Sequence, residues 1–168
     1  MLTTADDIIA CARSWVGTRF HHQGRLKKTA AHGGGVDCLG LLAGIAAELD
    51  LCAADGTPLT FFDRADYGHL PDGRALRAGL AVLLAEVNVD DLQPGDIALI
   101  AIDGVARHLG VVGKSCGPLC GIAGSCDPAS GEPQDYTLIH AYAQARKVVE
   151  HALDAWWRQR IVAVYRLC

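Results

Sequence analysis

"GGGVDCLGLLAGIAAEL", residues 33–49, decides how the rest of this chain is read. Three glycines lead into an acid, a cysteine and a run in which Leu39, Leu42, Ile45, Ala46 and Leu49 recur with helical period. The spacing predicts a helix over 38–49 with Asp37 as N-cap, since a short carboxylate can accept from the free N–H groups of a first turn. A helix that is apolar almost all round belongs in a core. Cys38 is then its first residue. A thiol there faces unpaired N–H groups and the positive end of the helix dipole, which stabilise a thiolate and suit an oxyanion as well. The competing role is a plain buried core cysteine. The glycines at 33–35 read as a flexible approach that lets a substrate backbone come close.

Outward from this segment, "TTADDIIACARSWV" (3–16) predicts a helix capped by Thr4, with Asp6 and Asp7 in its first turn and Ile8, Ile9, Ala12, Trp15 and Val16 on one stripe. Gly17 ends it, and a glycine-rich, basic loop runs from 18 to 35. Residues 51–73 are loop-like. A third helix is expected over 74–87, with Leu76, Leu80, Leu83, Leu84 and Val87 inward. After "LQPGD" the pattern turns to short β-type runs at 96–103, 107–113, 136–143, 147–153 and 160–167, with an irregular insert at 114–135. Helices first and strands second predict an α+β fold, its antiparallel sheet of about five strands packed on the N-terminal helices. Residues 1–168 read as a single domain.

At 168 residues, 51% apolar, 20% charged and with a net charge of −4, the chain can bury a core unaided and offers no basic face to nucleic acid. Arg25, Lys27 and Lys28 read as a solvated loop. No basic segment followed by an apolar one opens the chain, so synthesis in the cytoplasm without a signal peptide is expected. No apolar run approaches a membrane span. Of seven cysteines, Cys11, Cys38, Cys52, Cys116, Cys120, Cys126 and Cys168, most should be reduced thiols. The spacing of Cys116, Cys120 and Cys126 is looser than a zinc site's and suits an exposed thiol cluster, so no metal is expected.

A nucleophilic cysteine needs a base and a group to orient that base. His108 opens the strand "RHLGVVG" and His140 lies within "LIHAYA". On antiparallel neighbouring strands the two fall on one face, and the start of the core helix would carry Cys38 over them. Such a pair would form a thiolate and an imidazolium, with activity falling as pH drops through a depressed thiol pKa. His21, His22 and His32 flank the helix as polar surface residues, one of which can line a cleft. His69 and His151 have no supporting context. Trp156 and Trp157 suit a core or subunit contact more than a glycan surface.

In their order, "WVGTRFHHQG", "GGGVDCLGLL", "LQPGDIALI", "RHLGVVG" and "LIHAYA" resemble the NlpC family of papain-like cell-wall cysteine peptidases. Within it they are most similar to the phage-tail or prophage-associated branch, where "GxDCLGL" replaces the commoner "DCSGL". The resemblance covers nearly the whole chain. It implies a papain-like fold with Cys38 as nucleophile, His108 as base and His140 as the residue that orients His108. The implied reaction is hydrolysis of an amide in a peptidoglycan stem peptide, typically between the γ-carboxyl of D-glutamate and a diamino acid, through an acyl-enzyme and without a cofactor. Implied partners are the stem peptide and phage tail proteins, with action at the cell wall after delivery by a particle or another subunit. Around the nucleophile the implied substrate-binding set is Asp37, Phe20, Leu39 and Tyr142. Phe20 stands where the family's "GTPY" block carries a tyrosine, and Tyr142 is the candidate to supply that hydroxyl. Leu39 stands where a serine usually follows the cysteine. Asp37 matches the family's acid, as helix cap or as partner of a substrate amine. Two alternatives remain: a non-catalytic tail-assembly protein on the same fold, and a thiol acyltransferase or amidase with another substrate.

Overall fold

Helix α1 (Ala5–Ser14) starts where a reciprocal cap forms: Thr4 Oγ1 accepts from the Asp7 N–H at 3.2 Å, and the Asp7 carboxylate accepts from the Thr4 N–H at 2.9 Å. The computed structural model that contains it describes residues 3–63, 67–68, 73–115 and 136–167. α1 buries Ile8, Ile9, Cys11 and Ala12. Trp15 follows, and its indole lies against helix α2 (Cys38–Glu48) at Gly44, where a Cβ would come within 2.2 Å of the ring. Between the helices, β1 (Arg25–Leu26) and β2 (Gly35–Val36) form a two-stranded antiparallel ribbon. Gly34 turns this ribbon with φ of +64°, and a Cβ there would lie 2.4 Å from the Leu26 carbonyl oxygen. Gly34 therefore serves a tight backbone crossing, where the sequence leads one to expect an open approach to a cleft.

The main sheet comprises β3 (Ala85–Val87), β4 (Ile97–Ile102), β5 (Val105–Lys114), β6 (Tyr136–Tyr142), β7 (Lys147–Ala152) and β8 (Ile161–Arg166). Its spatial order is β3-β8-β4-β5-β6-β7, and every neighbouring pair is antiparallel. This is the expected α+β arrangement with one strand more than the pattern predicted. The helix expected over 74–87 stops early, as α3 (Gly73–Leu83), and residues 85–87 pair with Val164–Arg166 as an edge strand. Three residues are too few to carry an alternation of their own, so only the partner strand defines them.

Both faces of the sheet are covered, which is why its strands read as nearly continuous apolar runs. Ile97, Leu99, Leu109, Val111, Ile139, Ala163 and Tyr165 pack with α1 and α2. On the other face Ala98, Ile100, Val112, Leu138 and Val164 pack under Trp157. Trp157 belongs to a short helix, α4 (Ala155–Arg158), capped by Asp154. At the start of β4, the buried Asp96 of "LQPGD" accepts from the Gln93 N–H at 2.8 Å and pairs with Arg166 of β8 at 2.8 Å, fastening that turn to the sheet. Among the described residues no helix is long and apolar enough to cross a membrane.

Candidate active site

The N-terminus of α2 is held by more than its cap. Asp37 is buried, and its Oδ1 accepts from the Gly40 N–H at 2.8 Å while Oδ2 accepts from the Gln23 N–H at 2.7 Å. The Tyr67 hydroxyl donates to Oδ2 at 2.5 Å, and Arg25 Nη1 reaches Oδ1 at 3.3 Å. Arg25 also pairs with Asp63 at 2.8 Å and donates to the Tyr67 hydroxyl, so the Lys- and Arg-bearing loop is anchored and not merely solvated. Lys27 likewise pairs with Glu48 at 2.7 Å. Gly40 makes the approach of this loop possible: a Cβ at that position would lie 2.0 Å from the Gly24 carbonyl oxygen. Asp37 thus acts as the N-cap, with both of its oxygens engaged within the protein.

Cys38, one residue on, is partly buried and borders a cleft of about 810 Å³. Its own N–H and those of Leu39 and Leu109 face the sulfur and favour a thiolate, as the helix start leads one to expect. Burial outweighs them, and the neighbouring Asp37 charge adds to it, so the thiol is pushed up to about 11. His108 is pushed down to about 4 by burial. The resting groups at neutral pH are therefore a thiol and a neutral imidazole, where the sequence led us to expect a depressed thiol pKa and an ion pair. The helix start does favour the thiolate, but burial and the Asp37 carboxylate outweigh it.

β5 and β6 are neighbours, and His108 and His140 meet on one face: His108 Nε2 lies 2.6 Å from His140 Nδ1. Gly110 leaves room on this face for β6, since a Cβ there would lie 2.6 Å from Leu138 Cδ1 and 3.2 Å from His140 Cβ. This face is the one away from α2, because Leu109 and Val111 alternate onto the helix-packed side. Cys38 accordingly meets the strands at the Leu109 backbone instead of lying over the histidines from above. His140 is fully buried, with Trp157 edge-on to it at a centroid distance of 4.9 Å and Tyr142 stacked at 5.0 Å. Burial and the nearby His108 and His151 hold its pKa down to about 2. His140 Nε2 lies 2.9 Å from His151 Nε2, and His151 Nδ1 lies 2.8 Å from the Ala152 carbonyl oxygen.

The cleft brings together Phe20, Asp37, Cys38, His108 and Tyr142 of the expected site, and adds His22, Tyr67, Trp156 and Arg160. Leu39 is not part of it. The residue after Cys38 is rotated by about 100° around the helix, and Leu39 packs on the core and lines a separate apolar pocket with Leu42, Leu80 and Leu84. The Tyr142 hydroxyl donates to the Gln144 side chain, whereas the hydroxyl joined to the Asp37 network is that of Tyr67. His22 stands 3.9 Å from Asp37 and edge-on to Tyr67. The two tryptophans part company: Trp157 roofs the histidines, and Trp156, 48% exposed, carries the Arg160 guanidinium 3.6 Å from its ring centroid on the cleft wall. Among the described residues no group of three potential ligands could hold a metal. Cys116, Cys120, Cys126, Cys168 and His69 lie outside the described residues.

By sequence the chain matches no family model and no curated protein. By structure it is similar to an NlpC/P60 family protein from Bacillus cereus ATCC 10987, with a TM-score of 0.58 and 19% identity over 99% of this chain and 41% of that one. It is also similar to the NlpC/p60 domain of the peptidoglycan hydrolase SagA, with a TM-score of 0.54 and 13% identity over 97% of this chain and 98% of that one. A P60 domain of an antigen from M. avium subspecies paratuberculosis gives 0.52 and 15% over 97% and 93%. The chain thus spans less than half of the Bacillus cereus protein and nearly all of the two single domains. Its fold is the papain-like fold of NlpC/P60 proteins.

Proposed function

We propose that this protein is a cysteine peptidase that hydrolyses amide bonds in peptidoglycan stem peptides, with Cys38 as nucleophile, His108 as base and His140 as the residue orienting His108. One observation carries the proposal. The first residue of a buried helix is a cysteine, and it borders the same cleft as a histidine whose far nitrogen is held by a second histidine at 2.6 Å. With Nε2 so engaged, Nδ1 is the nitrogen left to act as base. As the thiol attacks the amide carbonyl, its proton passes to Nδ1, and the imidazolium returns that proton to the leaving amine. The N–H groups at the start of α2 receive the charge that develops on oxygen. Water, activated by His108, then releases the acyl group from Cys38.

The bond between D-glutamate's γ-carboxyl and the diamino acid is the preferred target, on the chain's resemblance to the NlpC family, and a phage or prophage setting the preferred source, on the "GxDCLGL" pattern of the tail-associated branch. The fold shared with SagA's domain supports the wall as substrate. Incubation with purified stem peptides, followed by mass spectrometry, is the test. Cleavage by the wild type that disappears in Cys38→Ala is expected. Equal cleavage by both would remove Cys38 from the chemistry. No cleavage by either would favour the non-catalytic tail-assembly alternative, while a trapped acyl group foreign to the wall would favour an acyltransferase or amidase.

A further inference from the structure

Three imidazoles stand in file from the cleft outward, and the last ends on a group that can only accept. We infer that His151 is a positioning residue: anchored on the Ala152 carbonyl, it sets the proton positions along the file so that His108 Nδ1 is left unprotonated towards Cys38. With all three rings neutral, the chain of assignment has no free step. The Ala152 oxygen accepts, so His151 Nδ1, 2.8 Å away, carries its proton and Nε2 is an acceptor. His140 Nε2, 2.9 Å from that acceptor, must donate, so His140 Nδ1 is bare. His108 Nε2, 2.6 Å from that bare nitrogen, donates in its turn, and Nδ1 holds the lone pair. The reverse order would set a lone pair of His151 against the lone pairs of the carbonyl oxygen.

Each ring is neutral in this scheme, which agrees with the low pKa that burial gives His108 and His140. The strand register builds the file. His140 is opposite Val149 on β7, and His151, two residues on, faces the same side as its diagonal neighbour. Trp157 closes over the file, with its ring centroid 4.9 Å from that of His140 and 5.2 Å from that of His151. In the transfer step the S–H bond of Cys38 breaks and the Nδ1–H bond of His108 forms. The Nε2–H proton stays in place, donated to His140.

The catalytic use of this arrangement rests on the peptidase proposal; the proton positions do not. Long-range proton–nitrogen NMR of the histidine-labelled full chain at neutral pH reads them directly. Nε2–H is expected at His108 and His140, and Nδ1–H at His151. A wild-type His108 protonated at Nδ1, or averaging between tautomers, would overturn the inference without any variant. His151→Phe removes the acceptor and should leave His140 and His108 as tautomer mixtures, with kcat on stem peptide down about tenfold, the scale of one lost hydrogen bond, and KM little changed. His151→Gln, whose amide oxygen can accept from His140, should restore the single tautomer and most of kcat. Fixed tautomers in the Phe variant, or mixed ones in the Gln variant, also count against it. Correct tautomers in a protein that cleaves no peptide would instead reject the peptidase and leave the positioning role standing.

Discussion

Two influences meet on the proton of Cys38. Three backbone N–H groups pull the thiol towards ionisation, while burial and the Asp37 carboxylate push it the other way and prevail, so the sulfur keeps its proton in the resting protein. In the proposed peptidase, the protonation that limits the reaction in acid is then that of His108. A group must be unprotonated to serve as base, and burial holds the His108 pKa near 4, below the ordinary 6.5. kcat/KM for a stem peptide should therefore stay level as pH falls through 6.5 and decline only towards about 4. A decline centred on the ordinary imidazole value would mean that His108 is solvated in the working enzyme. Tyr67 gives a second prediction at this scale. Its hydroxyl binds both Asp37 and Arg25, and these two also bind each other directly. Tyr67→Phe should thus cost only about 1 kcal/mol in a urea denaturation series, and a loss several times larger would show that the hydroxyl organises the whole network.

Asp37 and α2 illustrate how a local signal is legible in sequence. The cap, the helix and the position of Cys38 all depend on residues within one turn of each other, and each is found as the pattern predicts. What closes around the cap was not legible. Tyr67 comes from a stretch with no periodicity, and Arg25 from a loop whose charges have no local partner. β3 escaped for the same reason, since only β8 gives it a strand's identity. His151 depends on a register between β6 and β7 that no single strand records. Leu39 adjoins Cys38 in sequence but not in space, because the helix turns it onto the core. The cap itself can be measured. Asp37→Ala removes the acceptor for Gly40 and Gln23 and leaves Arg25 with one carboxylate fewer, so a loss of about 2–3 kcal/mol is expected. Asp37→Asn keeps a good cap and should cost distinctly less. Urea midpoints of the two variants decide, and equal losses would place the effect in the charge and not in the cap.

Across the whole molecule the histidine file couples the site to stability. His108 and His140 are held neutral in the fold, at about 4 and about 2, whereas an unfolded histidine titrates at 6.5. Both folded values are depressed, so the stability tied to these rings is present in full above 6.5 and is lost as the unfolded chain takes up protons that the fold refuses. Each ring removes about 1.4 kcal/mol per pH unit in that range. Between pH 6.5 and 5 the two together should cost about 3 kcal/mol, a large part of the 5–15 kcal/mol that holds a typical domain together. Most carboxylates ionise below this window, which keeps the histidine contribution apart from general acid denaturation. Chemical denaturation at pH 7.5, 6.5 and 5 should give nearly equal stabilities at the first two and a marked fall at the third. His140→Gln removes one of the titrating rings and keeps an amide within reach of both neighbours. It should lower stability at pH 7.5, where a well-packed ring is lost, yet flatten the fall towards pH 5 by about half. An unchanged slope in that variant would move the acid sensitivity away from the buried file and onto the exposed histidines.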